Sequence, residues 1–109
     1  METVKLLIPS DPQYVTTLRL VAASIARKMN FDIDVIEDIR VCVSEAVNYL
    51  FPINKQIEIA FDESEDALKV IIKAGKTDDE SSDLHRMILE SLMDEVDDFE
   101  GGLTLIKRR

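Results

Sequence analysis

What most constrains this chain is the order in which its apolar residues change period, from two to about 3.6 and back. From Glu2 to Ile8, Val4, Leu6 and Ile8 share one face and Leu7 takes the other, which predicts a strand closed by Pro9. Val15, Leu18, Ala22, Ile25 and Met29 then recur at steps of three and four, so one stripe of a helix faces a core while Thr16, Arg19, Arg27 and Lys28 face outward. Ahead of it Ser10 and Gln13 stand at capping-box spacing with Pro12 in the first turn, and Asn30 is the expected stop. Asp34 and Glu37 repeat the capping spacing before a second helix, marked by Ile36, Ile39, Val43, Ala46, Val47 and Leu50 and ended by Pro52.

Period two then returns. Ile57, Ile59 and Phe61 alternate with Gln56, Glu58 and Ala60, and Leu68, Val70 and Ile72 alternate with Lys69, Ile71 and Lys73, which predicts a hairpin turned at the acidic stretch 62–66. A polar loop over 75–83 leads to a third helix running to about Asp94, with Leu84, Ile88 and Leu92 at steps of four and Ser81, Ser82 or Asp83 as its cap. Val96 to Phe99 and Leu103 to Ile106, joined through Glu100, Gly101 and Gly102, predict a closing hairpin. The order β-α-α-β-β-α-β-β, with strands in pairs, points to an α+β two-layer sandwich: a mostly antiparallel sheet with three helices on one face.

With 109 residues and 46% apolar content the chain is expected to form a single domain, 1–109, around one core. No run approaches the roughly 20 apolar residues that span a bilayer, and no cationic-then-apolar leader opens the chain, so a cytoplasmic protein is expected. Cys42 is the only cysteine and sits within an apolar helical pattern, which reads as a buried, inert thiol. The formal charge of −9 would repel nucleic acid and anionic membranes, so any macromolecular partner is expected to present a basic surface. There is no internal repeat, and no GxGxxG, Walker-A, HExxH or CxxC motif occurs.

Three blocks resemble one family in the right order: Pro12-Gln13-Tyr14-Val15 with Leu18-Arg19-Leu20; Ile36-Glu37-Asp38-Ile39 through Val43-Ser44-Glu45-Ala46-Val47; and Glu90-Ser91-Leu92-Met93-Asp94-Glu95-Val96 with Gly102-Leu103-Thr104-Leu105. They are similar to the anti-sigma-factor serine/threonine kinases of the GHKL superfamily. The resemblance implies a Bergerat-type ATP-binding fold, with a helix that carries a Glu and, four residues on, an Asn toward Mg2+ and phosphates. Here Glu45 is followed at that distance by Tyr49, and Asn48 lies one residue early, about 100° around the helix. The family's Asp-x-Gly, which reads the adenine amino group, corresponds to Lys73-Ala74-Gly75, where a cation replaces an acceptor. The family's lid and glycine-rich turn are represented only by 76–83, followed by Leu84-His85-Arg86, so the lid is expected to be shortened or absent. Glu45, Asn48 and Gly75 are therefore remnant nucleotide-site candidates, with Glu45 the one surviving catalytic candidate. His85 reads as an exposed structural residue near a helix start, and Lys73, Lys76 and Arg86 as solvated cations.

The function this implies is a regulatory factor that binds a sigma factor or its antagonist, with ATP binding degenerate. The alternative is a working ATP-dependent serine/threonine kinase of the same family. No cofactor is expected, or ATP with Mg2+ if the nucleotide site survives; no metal site is expected. By resemblance the first helix is the partner surface, with Gln13, Thr16 and Arg19 as contacts, although Arg19 equally suits an ordinary surface ion pair. Val4, Leu6 and Leu7 suit either a homodimer contact or the core, so monomer and dimer both remain open.

Overall fold

The structure is a computed structural model that describes residues 2–76 and 82–109, Ser82 and Asp83 by their backbone alone. Its elements are β1 (Thr3–Pro9), α1 (Tyr14–Lys28), α2 (Ile33–Leu50), a 3-10 turn (Phe51–Ile53), β2 (Gln56–Glu63), β3 (Ala67–Lys73), α3 (Ser82–Leu92), β4 (Glu95–Phe99) and β5 (Gly102–Arg108). The strands form one antiparallel sheet in the order β1-β2-β3-β5-β4. After α3 the chain therefore enters the sheet at its outer edge and returns through β5 to pair with β3.

Alternation decides which side of each strand is buried. Ile57, Ile59 and Phe61 on β2, Leu68, Val70 and Ile72 on β3, and Leu103 and Leu105 on β5 are all buried, and they meet Leu18, Ala22, Ile25 and Ala26 of α1 and Ile39, Val43, Ala46, Val47 and Leu50 of α2. Each large aliphatic side chain buried in this way contributes on the order of 2 kcal/mol. Leu89 and Met93 join the same core from α3 and the residues just beyond it. Among the described residues no helix lies on the opposite face of the sheet, which alternates charges across strands, with Asp62 opposite Lys69 and Glu58 opposite Lys73. β1 buries only Ile8 fully; Val4 and Leu7 are exposed and Leu6 is half-buried against the core.

The helix ends differ from their sequence reading in detail. α1 begins at Tyr14 without a side-chain cap from Ser10. Asp11 does that work, accepting the Gln13 backbone N–H at 3.1 Å and its side-chain amide at 2.9 Å, since an Asp carboxylate reaches the backbone two residues on. At the far end Asn30 adopts φ +64°, Asn30 N–H donates to Arg27 and Phe31 N–H to Ala26, a Schellman stop. α2 starts two residues early, at Ile33 after an extended Asp32, so Asp34 lies within its first turn, where a carboxylate favours the helix dipole. Pro52 ends α2 as expected, but the chain tightens into the 3-10 turn before leaving it. For α3, Ser82 and Asp83 lie inside the helix, and Ser81 lies outside the described residues.

Candidate functional site

α2 places Glu45 and Tyr49 one turn apart, on the side that meets α3. His85, at the start of α3, fills the space between them. Its Nδ1 donates to Glu45 Oε1, and its ring lies 5.1 Å from the Tyr49 ring at a tilt of 32°. A carboxylate can only accept, so Nδ1 carries the proton of this contact. Glu45 and His85 are each about one quarter exposed and Tyr49 is buried. The expected exposure of His85 is thus corrected: it and Glu45, forty residues apart in sequence, satisfy each other.

The rest of α3 is fixed by Arg86. Its guanidinium donates to Glu90 on the same helix, to Asp98 on β4, and through Nη2 to the Val96 carbonyl at 2.9 Å. Between these contacts lies a cavity of about 30 Å3 lined by Tyr49, His85, Arg86, Leu89, Val96, Asp98 and Leu103. That is the share of liquid volume taken by one water, against the ~300 Å3 or more of a typical small-molecule pocket. Arg86, Lys73 and Lys76 do not gather into an anion cluster: Lys73 faces Glu58 at 4.0 Å and Lys76 is held by its backbone to Asn54.

Gly75 sits where the chain leaves β3. Its φ of +88° is a left-handed conformation that favours glycine, and its N–H shares the Gly101 carbonyl with that of Ala74, at 3.0 and 2.7 Å. Asn54, which sequence reasoning passed over, clamps this turn: its amide donates to Leu50 and Lys76 carbonyls, both at 2.9 Å, and its oxygen accepts the Lys76 N–H at 3.1 Å. The available signal was an Asn two residues past a helix-ending Pro, a type that bonds neighbouring backbone readily. Lys73 falls on the helix-free face of the sheet, since Ile72 points to the core and side chains alternate. The side chain that packs against the core there is Ala74, which offers no acceptor. Asn48 is exposed, on a different side of α2 from Glu45 and Tyr49.

Gln13, just ahead of α1, and Thr16 on it are exposed, as is Leu20 one turn beyond Thr16. Gln13 is turned back onto Asp11. Arg19 is half-buried, with Nη2 3.8 Å from Glu37 Oε1, and Glu37 also accepts from Arg40 at 3.1 Å. The ion pair that the sequence left open is therefore present. Among the described residues no group of three or more His, Cys, Asp and Glu is placed to hold a metal ion, and no helix is long and apolar enough to cross a membrane. A larger groove, about 600 Å3, lies at the other end of the sheet, between Lys28 and Met29 of α1 and the turn from β2 to β3.

No profile of a known protein family matches the chain. Individual proteins do. It is 30% identical over 112 residues to the serine-protein kinase RsbW of Bacillus subtilis (strain 168), covering 94% of this chain and 69% of the relative. The RsbW of Bacillus velezensis is 29% identical over 115 residues, covering 96% and 71%. The RsbW of Oceanobacillus iheyensis is 35% identical over a shorter 75 residues, 63% of this chain and 48% of the relative.

Proposed function

Because this chain belongs to the family of the RsbW serine-protein kinases, the anti-sigma-factor branch of the GHKL proteins, we propose that it is an anti-sigma regulatory factor acting by protein docking, with ATP use lost. The observation that carries the reading is the Glu45–His85 pair. In a working site the carboxylate at this helix position has to be free for metal-assisted chemistry; here an internal imidazole holds it, with Tyr49 where the family's amide would stand. These residues do not fit Mg-ATP. Lys73, at the family's Asp position, is a cation that cannot accept from an adenine amino group, and phosphoryl transfer depends almost wholly on positioning and charge neutralisation.

What supports docking is the preservation of the frame around the lost site. α1 presents Gln13, Thr16 and Leu20 to solvent along one side, and Arg19 at its margin keeps a guanidinium able to exchange Glu37 for a partner's carboxylate or carbonyl. The partner class is a sigma factor or the antagonist that releases it. Calorimetry with Mg-ATP tests the loss of nucleotide binding: no heat is expected, and micromolar binding abolished by Glu45→Ala would restore the kinase reading. Co-purification with sigma factors and antagonist proteins of the same cell tests the docking. A Thr16→Ala, Arg19→Ala variant is expected to weaken the complex at least tenfold, and indifference to both changes refutes α1 as the surface.

A further inference from the structure

The charge of this chain is concentrated in one place. Of its 22 acidic residues ten lie between Thr77 and Glu100, and of its 13 Lys and Arg only Arg86 does, so this stretch alone balances to −9. The other 85 residues hold twelve acidic and twelve basic side chains and balance to zero. In the fold the described part of the stretch is α3 and β4, and its one arginine is already taken by Glu90, Asp98 and the Val96 carbonyl.

α3 also carries an apolar face that none of the described residues covers. Leu89 and Met93 anchor its inner side, while Leu84 and Met87, three residues apart on its outer side, are 66% and 69% exposed, with Ile88 half-buried beside them. Isolated exposed apolar residues are ordinary; a pair at helical spacing, in the most acidic part of the molecule, is a different arrangement. Glu90 on α3, Asp94 just beyond it and Asp98 on β4 are exposed acids of the same region.

We propose that the outer face of α3 is a docking surface for a basic amphipathic segment of a protein partner. Leu84 and Met87 take its apolar side chains, methionine adapting to their shape, and the surrounding carboxylates select lysine and arginine. Charge names the occupant: the same field repels nucleic acid and anionic lipid, and it opposes a second copy of this face. The proposal rests on the reading of the chain as a binding module and adds to it a surface separate from α1.

The test is a titration of the isotope-labelled full chain with a designed amphipathic leucine–lysine helical peptide, followed by amide shifts. A matched leucine–glutamate peptide serves as control. Shifts centred on α3 and β4 are expected, with no response to the acidic peptide. Leu84→Ser combined with Met87→Ser should weaken binding about tenfold or more, Glu90→Gln less, and Arg19→Ala should leave it unchanged. Both substituted side chains are exposed, so the variant should keep its circular dichroism and melting temperature; should it not, Leu84→Gln with Met87→Gln replaces it. Shifts centred elsewhere overturn the proposal, as does binding that follows salt but ignores the Leu84 and Met87 changes. Self-association in sedimentation that the double variant abolishes also overturns it, since the occupant is then a second copy. A failed Arg19→Ala test in the sigma-factor complex, with the α3 results intact, removes the α1 reading alone.

Discussion

Substituting Gly102 by alanine tests the geometry on which the site depends. Gly102 opens β5, opposite Lys73 of β3 and Phe99 of β4. An added Cβ would land on the Ile72 carbonyl oxygen and lie 2.6 Å from Phe99 Cζ and 3.0 Å from Cε2. Non-bonded carbons prefer about 3.5–4.0 Å, so the phenyl ring must retreat by about 1 Å. Phe99 is at the sheet edge and part-exposed, and it can swing away. The Ile72 carbonyl is backbone in the middle strand and cannot, so β3 and β5 must part locally. Overpacking of this kind costs about 1–3 kcal/mol, and each ladder hydrogen bond lost adds about 1 kcal/mol. The expected loss is about 3–4 kcal/mol, a large share of the ~5–15 kcal/mol typical of a domain. Urea unfolding followed by circular dichroism measures it. Gly101→Ala is the control: its added Cβ meets only ordinary contacts, the nearest 3.5 Å away, and the strain at φ +88° should cost about 1–2 kcal/mol. A Gly102→Ala protein within about 0.5 kcal/mol of the parent would refute the pairing of Gly102 with Lys73 and the placement of Gly75 that follows from it.

Cys42 is buried, and burial, aided by nearby Asp38, pushes its thiol up to about 12. Thiol reagents should leave it untouched in the native protein at pH 8 and modify it fully in denaturant. Its native pKa lies above the unfolded value, so its contribution to stability is complete below about pH 8.5 and is lost as pH rises from there toward 12, by up to about 1.4 kcal/mol per unit; denaturation midpoints at pH 8 and pH 10 check the sign. Asn54→Ala removes three hydrogen bonds around the Gly75 turn and should cost about 1–3 kcal/mol, with faster hydrogen exchange at the Lys76 amide as its local signature. Asn30→Gly should be close to neutral, whereas Asn30→Ala should lose roughly 1 kcal/mol by forcing a Cβ into φ +64° without the aid of an amide; thermal melts separate the two.

The order of elements was legible because hydrophobic period reports which side of a helix or strand is buried, and that needs only neighbours in sequence. Leu18 to Ile25, Ile57 to Phe61 and Leu68 to Ile72 behaved this way. Asn30 was legible for the same reason: an Asn after a basic last turn is a local stop signal. Two kinds of information were not local. The Glu45–His85 contact depends on how α3 is laid across α2, and no spacing rule joins positions forty residues apart. The surroundings of Lys73 are the second: a short motif match does not say which face of the sheet the helices cover, and the fold leaves Lys73 on the uncovered face while Ala74 packs against the core. The cap of α1 failed similarly, because Ser10 and Asp11 are both good caps and only the path of the backbone decides between them.

On the proposed reading, His85 also sets the order in which nucleotide chemistry could be rebuilt. An amide at position 49 would supply the family's missing contact, yet the carboxylate it was meant to assist would still be engaged by an imidazole from the neighbouring helix. Any engineered return to catalysis has to evict that ring first and then find α3 another anchor, since Arg86 would be left to hold the start of the helix by itself.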